Sequence, residues 1–230
     1  MLLPTRPRSM GGNDQYTKIL LHFDGADGST TITDYCAGAT PHTWTNHTGS
    51  ISTSASKFGG SSYNCGAATG WVDTPDSADF TLGSSDFTID CWFNRQGGDG
   101  TNRYMCGTFN GTQSTRSAEL LLAVGNTCVF TVTNGSTQTN VAGTTSITST
   151  GWHHIAGVRT GNTLKLFVDG VQEGGDVSFS TSVNDSSLAY NVGRLPSGSY
   201  NFYGYLDEFR MSVGIARWTS NFPLSNSCYG

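Results

Sequence analysis

The sequence predicts an all-β protein, an antiparallel sandwich of two sheets, on three observations. About a dozen short runs alternate apolar with polar residues at a period of two, the repeat of a half-buried strand. Gly supplies 30 of 230 residues, and Ser, Thr and Asn fill much of the remainder, the composition of many turns joining short strands. No run has both the period and the length of a helix. Aromatic residues reach 11% and are spread along the chain, so the low charged fraction, 13%, describes a neutral, hydroxyl-rich surface rather than disorder.

Residues 1–14 contain Pro4, Pro7 and Gly11-Gly12, which prevent regular structure; this arm is either disordered or docks on a neighbour through Arg6 and Arg8. Tyr16 to Phe23 reads as the first strand, Asp24 to Gly28 as a tight acidic turn and Thr30 to Tyr35 as a second strand. Ile51, Phe58, Tyr63 and Trp71-Val72 mark short strands, and Asp76 to Phe80 reads as one helical turn capped by Asp76. Asp86 to Asn94 is a strong strand, because nearly every position is apolar, aromatic or β-branched. A Gly-rich loop leads to Arg103–Phe109, and Ala118–Val124 pairs with Cys128–Thr133 across Gly125-Asn126, residues that tolerate positive φ. Trp152–Arg159 and Thr163–Val168 form the clearest hairpin, turned by Thr160, Gly161 and Asn162. Leu188–Gly193 and Asn201–Val213 are the last strands; residues 15–218 make one body and 219–230 a C-terminal tail.

Several function classes are disfavoured. A net charge of −5 argues against nucleic acid as a partner, and no apolar run is long enough to span a membrane. The first residues lack the apolar core of a secretory signal, which predicts synthesis in a host cytoplasm. Four Asn-x-Ser/Thr triplets, at Asn46, Asn110, Asn134 and Asn184, read as chance in a chain this rich in Ser and Thr. Glycoside hydrolysis needs two carboxylates on one face. The only Glu residues are Glu119, Glu173 and Glu208, and strand alternation sends the adjacent Asp207 and Glu208 to opposite faces, so an enzyme is not predicted.

Three segments, DFTIDCWF at 86–93, WHHIAGVRTGNTLKLFVDG at 152–170 and GYLDEFRMSVGIARW at 204–218, resemble laminin G-like domains of the concanavalin A-like fold. KFGGSSYNC at 57–65 and DSADFTLGSSDFTI at 76–89 fit the same pattern in order, so the resemblance covers roughly residues 16–222. It implies a two-sheet jelly roll, and it implies that His153 and His154 lie on a core-forming strand rather than in a catalytic site. LLHFDG near the start and DEFRMSVGIARW near the end look most like versions found in bacteriophage structural proteins.

The expected function is therefore non-enzymatic. It is a virion structural protein, decorating a capsid or sitting on a tail or fibre, attached to other virion proteins and to copies of itself through its terminal arms. The alternative is a lectin-like module that recognises a host-surface glycan, with or without Ca²⁺. Asp24, Asp27 and Asp34 surround the first turn, and the resemblance brings Asp207 near the first strand; these four are the Ca²⁺ candidates, with turn capping as the other reading. Trp44, Trp71, Tyr104, Tyr200 and Tyr203 are the candidate sugar platforms, unless they are core. Cys91 and Cys106 flank the Gly-rich loop and are candidates for an internal disulfide; Cys228, close to the C-terminus, is placed for an intermolecular one.

Overall fold

A computed structural model describes residues 12–198 and 200–230; Arg6 and Arg8 lie outside the described residues. In chain order the strands are β1 Thr17–Leu21, β2 Thr45–His47, β3 Ser50–Ser52, β4 Ser62–Asn64, β5 Trp71–Thr74, β6 Phe87–Arg95, β7 Arg103–Gly107 and β8 Ala118–Leu122. They continue as β9 Thr127–Thr133, β10 Gln138–Ser146, β11 His153–Thr160, β12 Thr163–Val168, β13 Val171–Ser178, β14 Tyr190–Val192 and β15 Gly204–Val213. Sheet A has the order β13-β12-β11-β6-β15-β4-β3, with β1 also paired to β15; sheet B has the order β10-β9-β8-β7-β14-β5-β2. Every pairing between these strands is antiparallel, so the all-β sandwich expected from the composition is what forms.

The core lies between the sheets, where alternate residues of facing strands meet: Phe87, Ile89, Cys91 and Phe93 from β6 against Leu120, Leu122, Cys128, Phe130 and Val132 from β8 and β9. Gly157 makes this contact possible. A Cβ there would stand 2.4 Å from the Phe130 ring, so only a glycine lets β11 lie against that side chain. Two edges close on each other through Glu173 of β13, whose Oε2 accepts from the amides of Thr144 and Thr145 at 2.8 and 3.1 Å.

Some local expectations need correction. Thr30–Tyr35 is not a strand, because the Asp34 carboxylate accepts from the amides of Leu20, Cys36 and His42 and so replaces ladder bonds with side-chain bonds. The helical turn is Ala78–Phe80, and its cap is Ser77, not Asp76. In β15 a bulge lies between Asp207 and Arg210, with Glu208 at φ +49°. It falls where β15 changes partner from β4 to β1. Leu206 and Phe209 both enter the core, so Asp207 and Glu208 share the outer face of sheet A rather than pointing to opposite faces.

That outer face is sealed by the end of the chain. Trp218 stacks on Phe222 at 4.1 Å and 10°, and both pack on Phe167 and Ala156. Tyr229 is buried, lies 3.7 Å from the Arg210 guanidinium and meets His154 Nε2 through its hydroxyl at 3.1 Å. Beneath it Arg210 holds Asp90 with two bonds, 3.0 and 3.2 Å, and neither side chain is exposed. Asn13, in the arm, donates its amide to Gly230, and Asp14 pairs with buried Arg217 at 2.9 Å.

The six cysteines are free, and all but Cys228 are buried. The internal Cys91–Cys106 bridge does not form. β6 and β7 are consecutive in sequence but belong to opposite sheets, and both cysteines remain free. Both thiols enter the shared core, where Cys91 Sγ lies 3.9 Å from Met105 Sδ. Burial pushes Cys106 up to about 12 and Cys91 and Cys128 well above the usual thiol range. We therefore expect Ellman's reagent to titrate Cys228 alone in the reduced, folded protein and the remaining thiols only after denaturation; fast reaction of two or more in the folded protein would contradict this packing.

Candidate functional site

With sheet A covered on its outer side, accessible chemistry gathers on the outer face and rim of sheet B. Three flat side chains cross that face on three adjacent strands. Trp71 projects from β5, His47 stacks on it from β2 at 4.6 Å and 9°, and the Arg194 guanidinium, just past β14, lies 3.6 Å from the indole centroid. The strand order β14-β5-β2 places the indole between the other two. Asp73, two residues on from Trp71, places its Oδ2 3.1 Å from His47 Nε2. Burial lowers the Arg194 pKa, and the nearby Asp73 charge opposes that shift.

Further along the face, Tyr104, Leu121, Val129 and Leu195 make a second, smaller apolar cluster. Glu119 is fully buried beside it, with Arg116 Nε 3.2 Å away. Burial outweighs that arginine and raises the Glu119 carboxyl to about 8. Arg116 in turn covers the Phe109 ring at 4.0 Å. Over this cluster stands Tyr200, half exposed, at φ +66°, a backbone region that L residues rarely occupy. Its carbonyl accepts from the Tyr104 amide, and its ring lies 6.1 Å from that of Tyr104.

At the rim, Asp76, Phe80, Thr108, Ser117, Asp185, Ser186, Leu188 and Tyr190 line a cleft of about 220 Å³, its open mouth included. Asp76 and Asp185 are exposed, the Thr108 hydroxyl is buried without a hydrogen-bond partner, and the Tyr190 hydroxyl lies against the Cys106 thiol. Burial and the repulsion of Asp185 raise the Asp76 carboxyl, while the Ser77 amide opposes them. Two carboxylates near the unpartnered Thr108 hydroxyl suit a hard cation bound through oxygen. Among the described residues no three His, Cys, Asp or Glu side chains gather at one point, so a cation here would rely on carbonyl, hydroxyl or water oxygens as well.

The expected Ca²⁺ set is not one cluster. Asp34 is committed to three amides, Asp27 Oδ1 to the Thr53 amide and hydroxyl, and Asp207 Oδ2 to the Lys57 and Phe58 amides at 2.7 and 3.2 Å. Burial first, then Glu208 and Asp24, raise Asp207 to about 8 against those two amides. Glu208 is bound by His22 at 2.7 Å and by the Tyr229 amide at 2.9 Å, so both adjacent carboxylates serve the fold. Of the aromatic candidates, Trp44 belongs to the central core and Tyr104 to the smaller cluster. Tyr203 is half-buried against Gly97, Trp71 is covered by its two neighbours, and Tyr200 is the exposed one. Arg194 and Asp185 were not anticipated. Their partners, Trp71 and Asp76, are more than a hundred residues away, and no local pattern marks such pairs.

The pattern of the Concanavalin A-like lectin/glucanases superfamily matches residues 66–214. No curated protein matches the chain. Among solved structures, the binding domain of Paraclostridial Mosquitocidal Protein 1 superposes with a TM-score of 0.65 at 14% identity over 88% of this chain and 50% of its own. Domain 4 of AbnA, a GH43 extracellular arabinanase from Geobacillus stearothermophilus in complex with arabinotriose, gives 0.62 at 15% over 87% of this chain and 93% of its own. The binding domain of Botulinum Neurotoxin DC in complex with SialylT gives 0.61 at 10% over 88% and 49%. The chain thus spans about half the length of the two toxin domains, and at these identities the likeness concerns the fold. Sandwich topology and a sequence match over most of the body agree, and the chain belongs to the concanavalin A-like lectin/glucanase superfamily.

Proposed function

We propose that this chain is a non-catalytic carbohydrate-binding module that engages glycans on the outer side of sheet B, with Ca²⁺ in the Asp76–Asp185 cleft. The observation that carries the reading is the asymmetry of the two outer faces. Sheet A is covered by Trp218, Phe222 and Tyr229. Sheet B keeps an exposed, strained Tyr200 and a guanidinium with no hydrogen-bond acceptor among the described residues. Strain held at an exposed aromatic is a mark of a binding surface. Two structures of this fold were solved with sugars, arabinotriose and SialylT, which supports the class of ligand.

The test is a glycan array with and without Ca²⁺, followed by titration of the hits. Binding that Tyr200→Ala removes while the melting temperature holds is the expected result; an array with no signal above background, with and without Ca²⁺, would reject the reading. Ca²⁺ at ten times its Kd should raise stability by about 1.4 kcal/mol. Asp185→Asn should abolish that rise and Asp24→Asn should not; the opposite pattern would move the cation to the first turn.

The resemblance of LLHFDG and DEFRMSVGIARW to phage structural proteins favours one setting for such a module, the surface of a virion on capsid, tail or fibre. Exposed Cys228 suits a disulfide to a second chain there. A band that is dimeric on a non-reducing gel and monomeric with reductant is expected; a Cys228→Ser variant that still dimerises would remove that link.

A further inference from the structure

We infer that Arg194 forms an anion subsite on sheet B, selective for sugars bearing a carboxylate. The inference rests on the glycan-binding reading and names the class of sugar. Arg194 is half-buried, and its guanidinium carbon lies over the Trp71 ring, 3.6 Å from the centroid. Its Nε is buried without an acceptor, and so is Trp71 Nε1. The two terminal nitrogens of Arg194 make no hydrogen bond among the described residues and are not fully buried. Asp73 is the nearby acid, but it lies more than 4 Å from the guanidinium nitrogens, since no ion pair forms between them, and its Oδ2 is engaged by His47.

An arginine normally spends its donors on carboxylates or carbonyls; buried Arg210 and Arg217 in this chain do so. Arg194 is instead fixed by stacking and keeps its fork free. Stacking removes the rotamer freedom that binding would otherwise cost. The planar pair of N–H groups then matches the two oxygens of a carboxylate, a geometry that an ammonium cannot reproduce. Trp71 is thus a positioning residue rather than a sugar platform. Tyr200, on the same loop that carries Arg194, is the exposed aromatic side chain of this face.

Calorimetric titration of the whole chain with 3′-sialyllactose, glucuronic-acid-capped oligosaccharide, sulfated lactose and plain lactose tests the inference. We expect the two carboxylated sugars to bind at least tenfold more tightly than lactose. Arg194→Gln should remove that margin by weakening the two carboxylated sugars to the level of lactose, and Arg194→Lys should retain less than a third of it. Preference for the sulfated sugar over both carboxylated ones would overturn the carboxylate assignment. Equal binding of lactose and the acidic sugars, or an Arg194→Gln protein with an intact margin, would overturn the subsite while leaving the glycan reading in place. A chain that binds none of these sugars, but whose Arg194 Nε and Trp71 Nε1 proton resonances move with free glucuronate, would keep the subsite and reject the glycan reading. Unmoved resonances together with no sugar binding would reject both.

Discussion

Arg210→Ala is expected to destabilise the protein by about 3–5 kcal/mol, the usual cost of leaving a buried charge without its partner. In a domain of this size that is a fall in melting temperature of roughly 6–20 °C. Asp90 has no exposed surface, and burial alone would raise its carboxyl; the Arg210 charge and the His154 contact hold it instead at about 2. Removing the guanidinium leaves a carboxylate whose remaining side-chain partners are His154 Nε2, 3.4 Å away, and the nearby Tyr229. It also removes the group over which Tyr229 lies, so the end of the chain loosens with it. The double variant Asp90→Leu with Arg210→Met removes both charges and should recover most of the loss. A double variant no more stable than Arg210→Ala would show that packing, not the uncompensated charge, is the cause.

The second large effect is a pH dependence that runs opposite to acid denaturation. Asp207 and Glu119 keep their protons up to about pH 8 in the folded chain, against about 4 when unfolded. Between those limits the folded state holds more protons than the unfolded one, so stability falls as pH rises. His22 acts in the same direction. Burial opposes the shift, but Glu208 raises the imidazole pKa, and the stability this confers is lost as pH rises through the raised value. Asp90 behaves oppositely, and the stability it confers disappears only as pH falls from about 4 towards about 2. Maximum stability is expected near pH 4–5, with a loss of a few kcal/mol by pH 8; the ideal slope is about 1.4 kcal/mol per unit for each proton, and structural relaxation lessens it. Asp207→Asn and Glu119→Gln should each flatten the profile and stabilise the protein at pH 8. Melting curves from pH 4 to 9 that are unchanged by either substitution would refute the assignment.

The strands most visible in the sequence, β6, β11, β12 and β15, are those whose burial depends on their own residues. They line the centre of sheet A, where strong β formers and regular alternation agree with the packing. β13 was not legible, because it is an exposed edge with Gly174 and Gly175 at positive φ, and its pairing comes from β12. The Asp207–Glu208 bulge was hidden because it results from two different partners meeting on one strand. The candidate site was harder still. Trp44 and Trp71 look alike in sequence, yet one faces the core and the other lies between residues from separate strands. What distinguishes them is long-range register, which no local window contains.

The meeting of Asn13 with Gly230 gives the molecule a back and a front. Both lie on the outer side of sheet A, over Arg210, while Arg194 and Tyr200 belong to the opposite side of the sandwich. A partner fused after residue 230 would therefore be held on the sheet A side, away from Arg194 and Tyr200. A linker of a few residues between these two ends should permit circular permutation with little loss of stability.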